Sequence, residues 1–161
     1  MQIQRAVAGA MIGAAYFTLA PATGQDALYT LSVEIDGADT ATLTMSELDA
    51  MRQVDFVTST IWTDGENQFS GVPLADVLAT AGISDGIVQL IALNDYSVEI
   101  PVDEIDGDYP IIATRMDHEA MPIRDKGPFW VIYPYDHDPE FQTETIYARS
   151  IWQLQRISVL D

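Results

Sequence analysis

Thr58-Ser59-Thr60-Ile61-Trp62 is followed, after eight residues, by Gly71-Val72-Pro73-Leu74, and this stretch decides the predicted fold. The run Val54 to Trp62 is rich in β-branched and aromatic residues, which indicates a strand. Pro73 suits the first turn of a helix, and Gly82 is a typical residue at the end of one. The stretch therefore predicts a strand, a turn and a short helix in succession.

The rest of the chain alternates between strand signals and turn signals. A capping box at Thr44 and Glu47 predicts a helix to about Arg52, and a short helical turn is predicted from Pro101 to Ile105. Strands are predicted at Ala27–Ile35, Ala41–Leu43, Val88–Leu93, Tyr96–Ile100, Ile111–Thr114, Phe129–Tyr133, Ile146–Trp152 and Arg156–Leu160. Strands dominate, so we expect an α+β domain with mixed or antiparallel sheets, a barrel-like core and two or three short helices.

Composition indicates a globular and strongly acidic protein. The chain has 161 residues, is 48% hydrophobic and carries a formal net charge of −18. This charge argues against nucleic acid and anionic membrane surfaces as partners, because both repel polyanions. The acidity is explained by solubility or a salty habitat, or else by an acidic docking patch.

The first 22 residues have the pattern of a secretory signal peptide. A short basic segment ending at Arg5 precedes the apolar run Ala6–Leu19, and Ala20-Pro21-Ala22 forms an A-x-A cleavage site. We expect a mature domain from Thr23 to residue 161, exported to the periplasm or secreted, with no membrane insertion of the mature chain. An uncleaved N-terminal anchor is the alternative.

Metal and hydrolase chemistry have little support in the residue inventory. The chain has no Cys and two His, so a closed zinc site is not expected. Asp117-His118-Glu119 and Asp136-His137-Asp138 favour solvated turns over chelation, because adjacent residues in extended chain point to opposite faces. Ser59 and Ser70 lack a G-x-S-x-G elbow.

Several motifs, in order, resemble the molybdopterin domain of the sulfite oxidase family. In that family a Cys that ligates molybdenum stands four residues before the Trp matched by Trp62, and here that position is Thr58. Further matches, each weak alone, are Phe69–Leu78, Leu93–Tyr96 with Ile100-Pro101, Ile112-Ala113, Met121-Pro122, Pro128–Pro134 and Tyr147–Trp152. The resemblance covers roughly residues 28 to 160 and implies the fold of that domain.

The departures from the family pattern share one direction. A neutral hydroxyl at Thr58 cannot replace a soft thiolate on a redox metal. Trp130 and Trp152 stand where the family has Arg and Lys, so cations suited to a cofactor phosphate are replaced by indoles suited to a flat neutral ring. We therefore expect a pterin as ligand and no molybdenum.

Two C-terminal segments also resemble small exported pterin-binding proteins of the same fold. They are Arg124-Asp125-Lys126-Gly127-Pro128 and Trp152-Gln153-Leu154. This resemblance implies a non-catalytic protein that reports its ligand to a membrane-bound signalling partner, such as one controlling cyclic-di-GMP. The alternatives are a molybdopterin-dependent oxidoreductase subunit or remnant with atypical metal ligation, and an interaction module with an empty cleft.

The candidate ligand-binding residues combine aromatic faces with hydrogen-bond donors. They are Trp62, Asn94, Arg124, Trp130, Tyr133, Arg149 and Trp152. Each has a structural alternative: core packing for the tryptophans, a turn for Asn94, a loop salt bridge for Arg124 and a buried ion pair for Arg149. Arg149 is expected in a strand, where its rigid fork suits the edge of a pterin.

Overall fold

The computed structural model describes residues 29–160. The predicted signal peptide and its cleavage site lie outside these residues. Within residues 29–160, ten strands and three α-helices form the domain. The strands are β1 (Thr30–Ile35), β2 (Ala38–Thr44), β3 (Val54–Ser59), β4 (Glu66–Pro73), β5 (Ile87–Ala92), β6 (Ser97–Pro101), β7 (Ile111–Met116), β8 (Glu119–Ala120), β9 (Trp130–Ile132) and β10 (Leu154–Leu160).

The helices are short and flank the strands. They are α1 (Met45–Ala50), α2 (Leu74–Thr80) and α3 (Glu144–Arg149), with 3-10 turns at Val102–Glu104 and Pro139–Phe141. The predicted capping box is present: the Thr44 side chain accepts from the Glu47 amide, and Glu47 accepts from the Thr44 amide. Pro73 is the N-cap of α2 and so lies one position before the predicted first turn.

Two five-stranded sheets form the fold. The first has the order β2-β1-β10-β5-β6, and it is mixed because β1 and β10 run parallel while its other neighbours are antiparallel. The second has the order β3-β4-β7-β8, with β9 also paired to β7, and all its pairs are antiparallel. The predicted α+β class with mixed sheets is confirmed.

Three details of the sequence prediction are wrong. Within residues 29–160 the sheets remain open and do not close into a barrel. The segment from Glu66 to Pro73 is a strand, where only a lead-in to α2 was expected. The segment Ile146–Trp152 is not a strand, because Thr143 caps α3 and the helix runs to Arg149.

Gly71 explains how β4 joins the second sheet. A Cβ atom at this position would lie 2.0 Å from the backbone oxygen of Ile112 on β7, closer than any real contact. Only glycine allows the two backbones to approach this closely. The glycine of the Gly-Val-Pro-Leu motif therefore has a packing role.

Among the residues that the structure describes, no helix is both long and apolar enough to cross a membrane. The apolar core instead lies within the two sheets and the helices, with buried side chains such as Phe69, Leu74 and Ile157.

Candidate functional site

Trp62 lies at the centre of an aromatic cluster after β3. Its ring meets those of Trp130, Tyr135, Tyr147 and Trp152 edge to face, with centroid separations of 5.9, 6.3, 5.9 and 5.7 Å. Such edge-to-face packing is the favoured geometry for aromatic pairs. The indole is partly exposed, so the cluster joins the core to the surface.

A cavity of about 360 Å³ opens beside this cluster, and we call it the first cavity. Its lining is mostly aromatic or apolar and has no charged residue. The lining residues are Trp62, Ala92, Asn94, Tyr96, Tyr147, Ala148, Ser150, Ile151 and Trp152. A flat, mainly apolar ring with a few polar atoms suits such a surface.

Of the predicted ligand-binding residues, Trp62, Trp152 and Asn94 meet in the first cavity. Asn94 also has the predicted turn role, because its side-chain oxygen accepts from the Tyr96 amide at 3.2 Å between β5 and β6. Asp95 follows with a positive φ of 65°, typical of such a turn.

Trp130 lies behind the cavity and not in its lining. Its side chain is 0% exposed on β9, and its indole nitrogen donates to the Ser150 backbone oxygen at 3.2 Å. The Trp130 backbone forms a bridge with Trp152. Trp130 therefore supports the Trp152 wall from within the core.

Tyr133 and Arg149 lie in a separate polar group. Arg149 Nη1 is 2.7 Å from a Glu104 carboxylate oxygen, and the Arg149 side chain is 13% exposed. Burial raises the pKa of Tyr133 well above its ordinary value, and the nearby Arg149 opposes that rise. The structure thus gives Arg149 the ion pair of its structural alternative, and it places neither residue in the first-cavity lining.

A second cavity of about 460 Å³ lies on another side of Trp62. It is more polar than the first and is lined by Ile61, Trp62, Thr63, Asp64, Asn67, Met116, Asp125 and Lys126. Arg124 is exposed on the adjacent loop and lines neither cavity. Trp62 is the residue shared by both cavities.

Thr58, which the sequence resemblance matches to the family's metal ligand, is a buried residue with structural hydrogen bonds. It is 1% exposed, its hydroxyl donates to the Ser59 oxygen at 3.2 Å, and it accepts from the Asp136 amide at 3.1 Å. A hydroxyl engaged in this way is a poor ligand for a soft redox metal. The hydroxyl of Thr58 therefore does not fit molybdenum ligation.

The two acidic histidine segments are turns tied to neighbouring strands. Asp136 accepts from the Ser59 amide at 2.5 Å and from its hydroxyl at 2.9 Å, and these bonds lower the pKa of the carboxyl. Asp117 accepts from the Gln68 amide and from the Asn67 side chain, which lowers its pKa in the same way. Within residues 29–160, no group of three or more His, Asp or Glu side chains is placed to hold a metal ion.

The sequence prediction missed several residues of the site. Tyr96, Tyr147 and Ser150 line the first cavity, and the Lys126 ammonium group lies over the rings of Trp152, in the lining, and Trp130, behind it. Ser150 also accepts a hydrogen bond from the buried Tyr135 hydroxyl and donates to the Ile146 oxygen at 2.8 Å. Helical spacing places Tyr147 and Ser150 one turn apart, so recognising α3 would have identified them together.

Comparison with known proteins agrees with this fold. The family model described as "Oxidoreductase molybdopterin binding domain" matches residues 19–136. No curated protein sequence matches the chain. The solved structure of the sulfane dehydrogenase SoxCD from Paracoccus pantotrophus is similar, with a TM-score of 0.61 and 14% sequence identity over 83% of this chain. This chain spans 38% of the length of that protein's chain.

Proposed function

The chain belongs to the oxidoreductase molybdopterin binding domain family, and we propose that it is a non-catalytic member that binds a pterin in the first cavity. The observation that carries the proposal is the pairing of an uncharged aromatic cavity with a buried, hydrogen-bonded Thr58 at the metal-ligand position. A pterin is planar and heteroaromatic, so it suits Trp62 and Trp152 as walls.

The polar residues of the cavity would fix the orientation of the pterin. Asn94 offers an amide at one side, and Ser150 offers a hydroxyl oxygen on α3's C-terminal side. Pterins carry ring nitrogens, a carbonyl and an amino group, which are matched by such donors and acceptors. The uncharged lining disfavours a phosphorylated ligand, because a buried phosphate needs a cationic partner.

Export and a signalling role extend the proposal. Signal-peptide character in residues 1–22 supports release to the periplasm. Ligand binding would be reported to a membrane-bound signalling partner only if that partner binds the ligand-bound and ligand-free forms of this protein with different affinity. Intact mass of periplasmic protein tests export: cleavage near Ala22 is expected, and a cytoplasmic form that retains Met1 would contradict it.

Calorimetric titration with biopterin tests the ligand site. The wild-type protein should bind, and Trp152→Ala should weaken binding by roughly 1–3 kcal/mol through lost stacking and burial. Ile61→Ala is the matched control, because this exposed side chain lies in the second cavity. A folded Trp152→Ala protein with unchanged affinity would remove the first cavity as the site.

Family membership favours a second candidate, a molybdopterin-dependent oxidoreductase subunit with atypical ligation. Elemental analysis of protein from a host that makes the molybdenum cofactor separates the two functions. Stoichiometric molybdenum would favour the oxidoreductase. Pterin without molybdenum would favour the non-catalytic binding protein.

A further inference from the structure

The Lys126 ammonium group lies over two indole rings of the site. It is 4.9 Å from the ring centroid of Trp152 and 5.4 Å from that of Trp130. Both distances are within the range of cation–π attraction, about 6 Å.

The loop around Lys126 is held in place by its backbone. The Gln153 amide donates to the Lys126 oxygen at 3.1 Å, and the Gln153 side chain donates to the Ile123 oxygen at 2.5 Å. Gly127 passes so near Met121 that a Cβ atom would lie 1.8 Å from the Met121 oxygen. The partly buried Lys126 is therefore fixed beside the segment that carries Trp152.

The two cavities define the side from which the charge approaches. Trp152 lines the first cavity, whereas Lys126 lines the second. The ammonium group therefore comes from a residue that is not part of the first-cavity lining, yet it lies 4.9 Å from the ring centroid of Trp152, which is part of that lining. Asp64 and Asp125 also line the second cavity, but the first-cavity lining has no charge of its own.

We propose that Lys126 is a specificity-determining residue of the first cavity and acts through Trp152. This inference rests on the proposed ligand site. The ammonium draws the π-electron density of the indole toward itself, and its field reaches a ring held in the first cavity beside Trp152. The cavity therefore selects neutral or anionic planar rings over cationic ones, although the net charge of −18 favours cations.

A matched pair of probes tests the charge selection. Acridine, at a pH above the pKa of its conjugate acid, is a neutral planar ring, and N-methylacridinium is nearly the same shape with a permanent positive charge. Calorimetry at one ionic strength gives the affinity ratio of the two probes. We expect the wild-type protein to favour acridine and Lys126→Met to shift the ratio toward the cation by about tenfold.

Two further variants separate local from general electrostatics. Lys126→Arg keeps a cation over the indoles and should keep the wild-type ratio. Arg124→Met removes the same unit of net charge from an exposed position on the same loop, and it too should keep the ratio. If Lys126→Met does not fold, Lys126→Gln replaces it.

The outcomes distinguish the two proposals. An affinity ratio that is the same in wild type and in the folded Lys126→Met or Lys126→Gln protein overturns the role of Lys126 and leaves the ligand site standing. An equal shift in Arg124→Met also overturns it, because general charge then explains the effect. Failure of the wild-type protein to bind biopterin or either probe overturns both proposals.

Discussion

Replacing Arg149 by lysine separates a scaffold role from a ligand-binding role. Arg149 Nη1 is 2.7 Å from Glu104, which ties the last turn of α3 to the 3-10 turn after β6. Lysine keeps the positive charge but loses the planar fork that holds this geometry. Ala148 and Ser150 line the first cavity, but Arg149 does not. The substitution therefore alters the ion pair that supports this part of the cavity wall and leaves the lining residues unchanged.

The size of the effect follows from the exposure of the two partners. The Arg149 side chain is 13% exposed, but that of Glu104 is 52% exposed and can be rehydrated when the pair weakens. Exposed pairs contribute about 0.2–1 kcal/mol, and the buried arginine raises the estimate toward its upper end. A decrease of about 1 kcal/mol in the free energy of unfolding lowers the Tm of a domain of this size by roughly 3–5 °C.

Thermal unfolding and biopterin calorimetry on one variant measure both roles. We expect Arg149→Lys to lower the Tm by this amount and to leave biopterin affinity within about twofold, a change of less than 0.5 kcal/mol. Arg124→Lys, at an exposed loop position, is the control and should change neither quantity. A large loss of affinity with an unchanged Tm would refute the scaffold assignment and return Arg149 to the ligand site.

The remaining predictions concern backbone packing and pH. Gly71→Ala should destabilise the fold by about 1–3 kcal/mol or more, because its Cβ would meet the Ile112 oxygen, whereas Gly107→Ala has open space and should be near neutral in denaturant unfolding. Bonds from Ser59 lower the folded-state pKa of Asp136, so its stabilisation is present above the unfolded-state pKa and is lost as pH falls through the folded one. Asp136→Asn should therefore lower the Tm at neutral pH and make the Tm decrease less as the pH is lowered. A variant whose Tm decreases in acid as steeply as that of the wild type would contradict this.

Much of the fold could be predicted because local signals agreed with tertiary packing. The Thr44–Glu47 capping box, the strand at β3 and the turn between β5 and β6 all appear where short-range chemistry placed them. The segment after Ile146 was predicted wrongly because its apolar residues also suit a buried strand. Thr143 is the N-cap of α3, but in the sequence this single polar residue is a weaker signal than the apolar pattern that follows it.

The candidate site was predictable only in part. Trp62 and Trp152 were identified from the resemblance, and the structure brings them together in the first cavity. Trp130 was grouped with them, but β9 is buried along its whole length, and the Trp130 ring packs edge to face against Phe69 with centroids 5.4 Å apart. Lys126 was also missed as a site residue; its ammonium group lies over the Trp130 and Trp152 rings, and its backbone oxygen accepts from the Gln153 amide.

The sequence by itself determined the α+β class, the family resemblance and the absence of a thiolate at Thr58, because these depend on residue types and their local spacing. The tertiary structure alone decided which residues form a common surface. It paired Arg149 with Glu104, bonded the Thr58 hydroxyl to the Asp136 backbone and placed the Lys126 ammonium group over the Trp152 ring. Those contacts join segments far apart in the chain, and only the packing of the sheets and their loops fixes such distances.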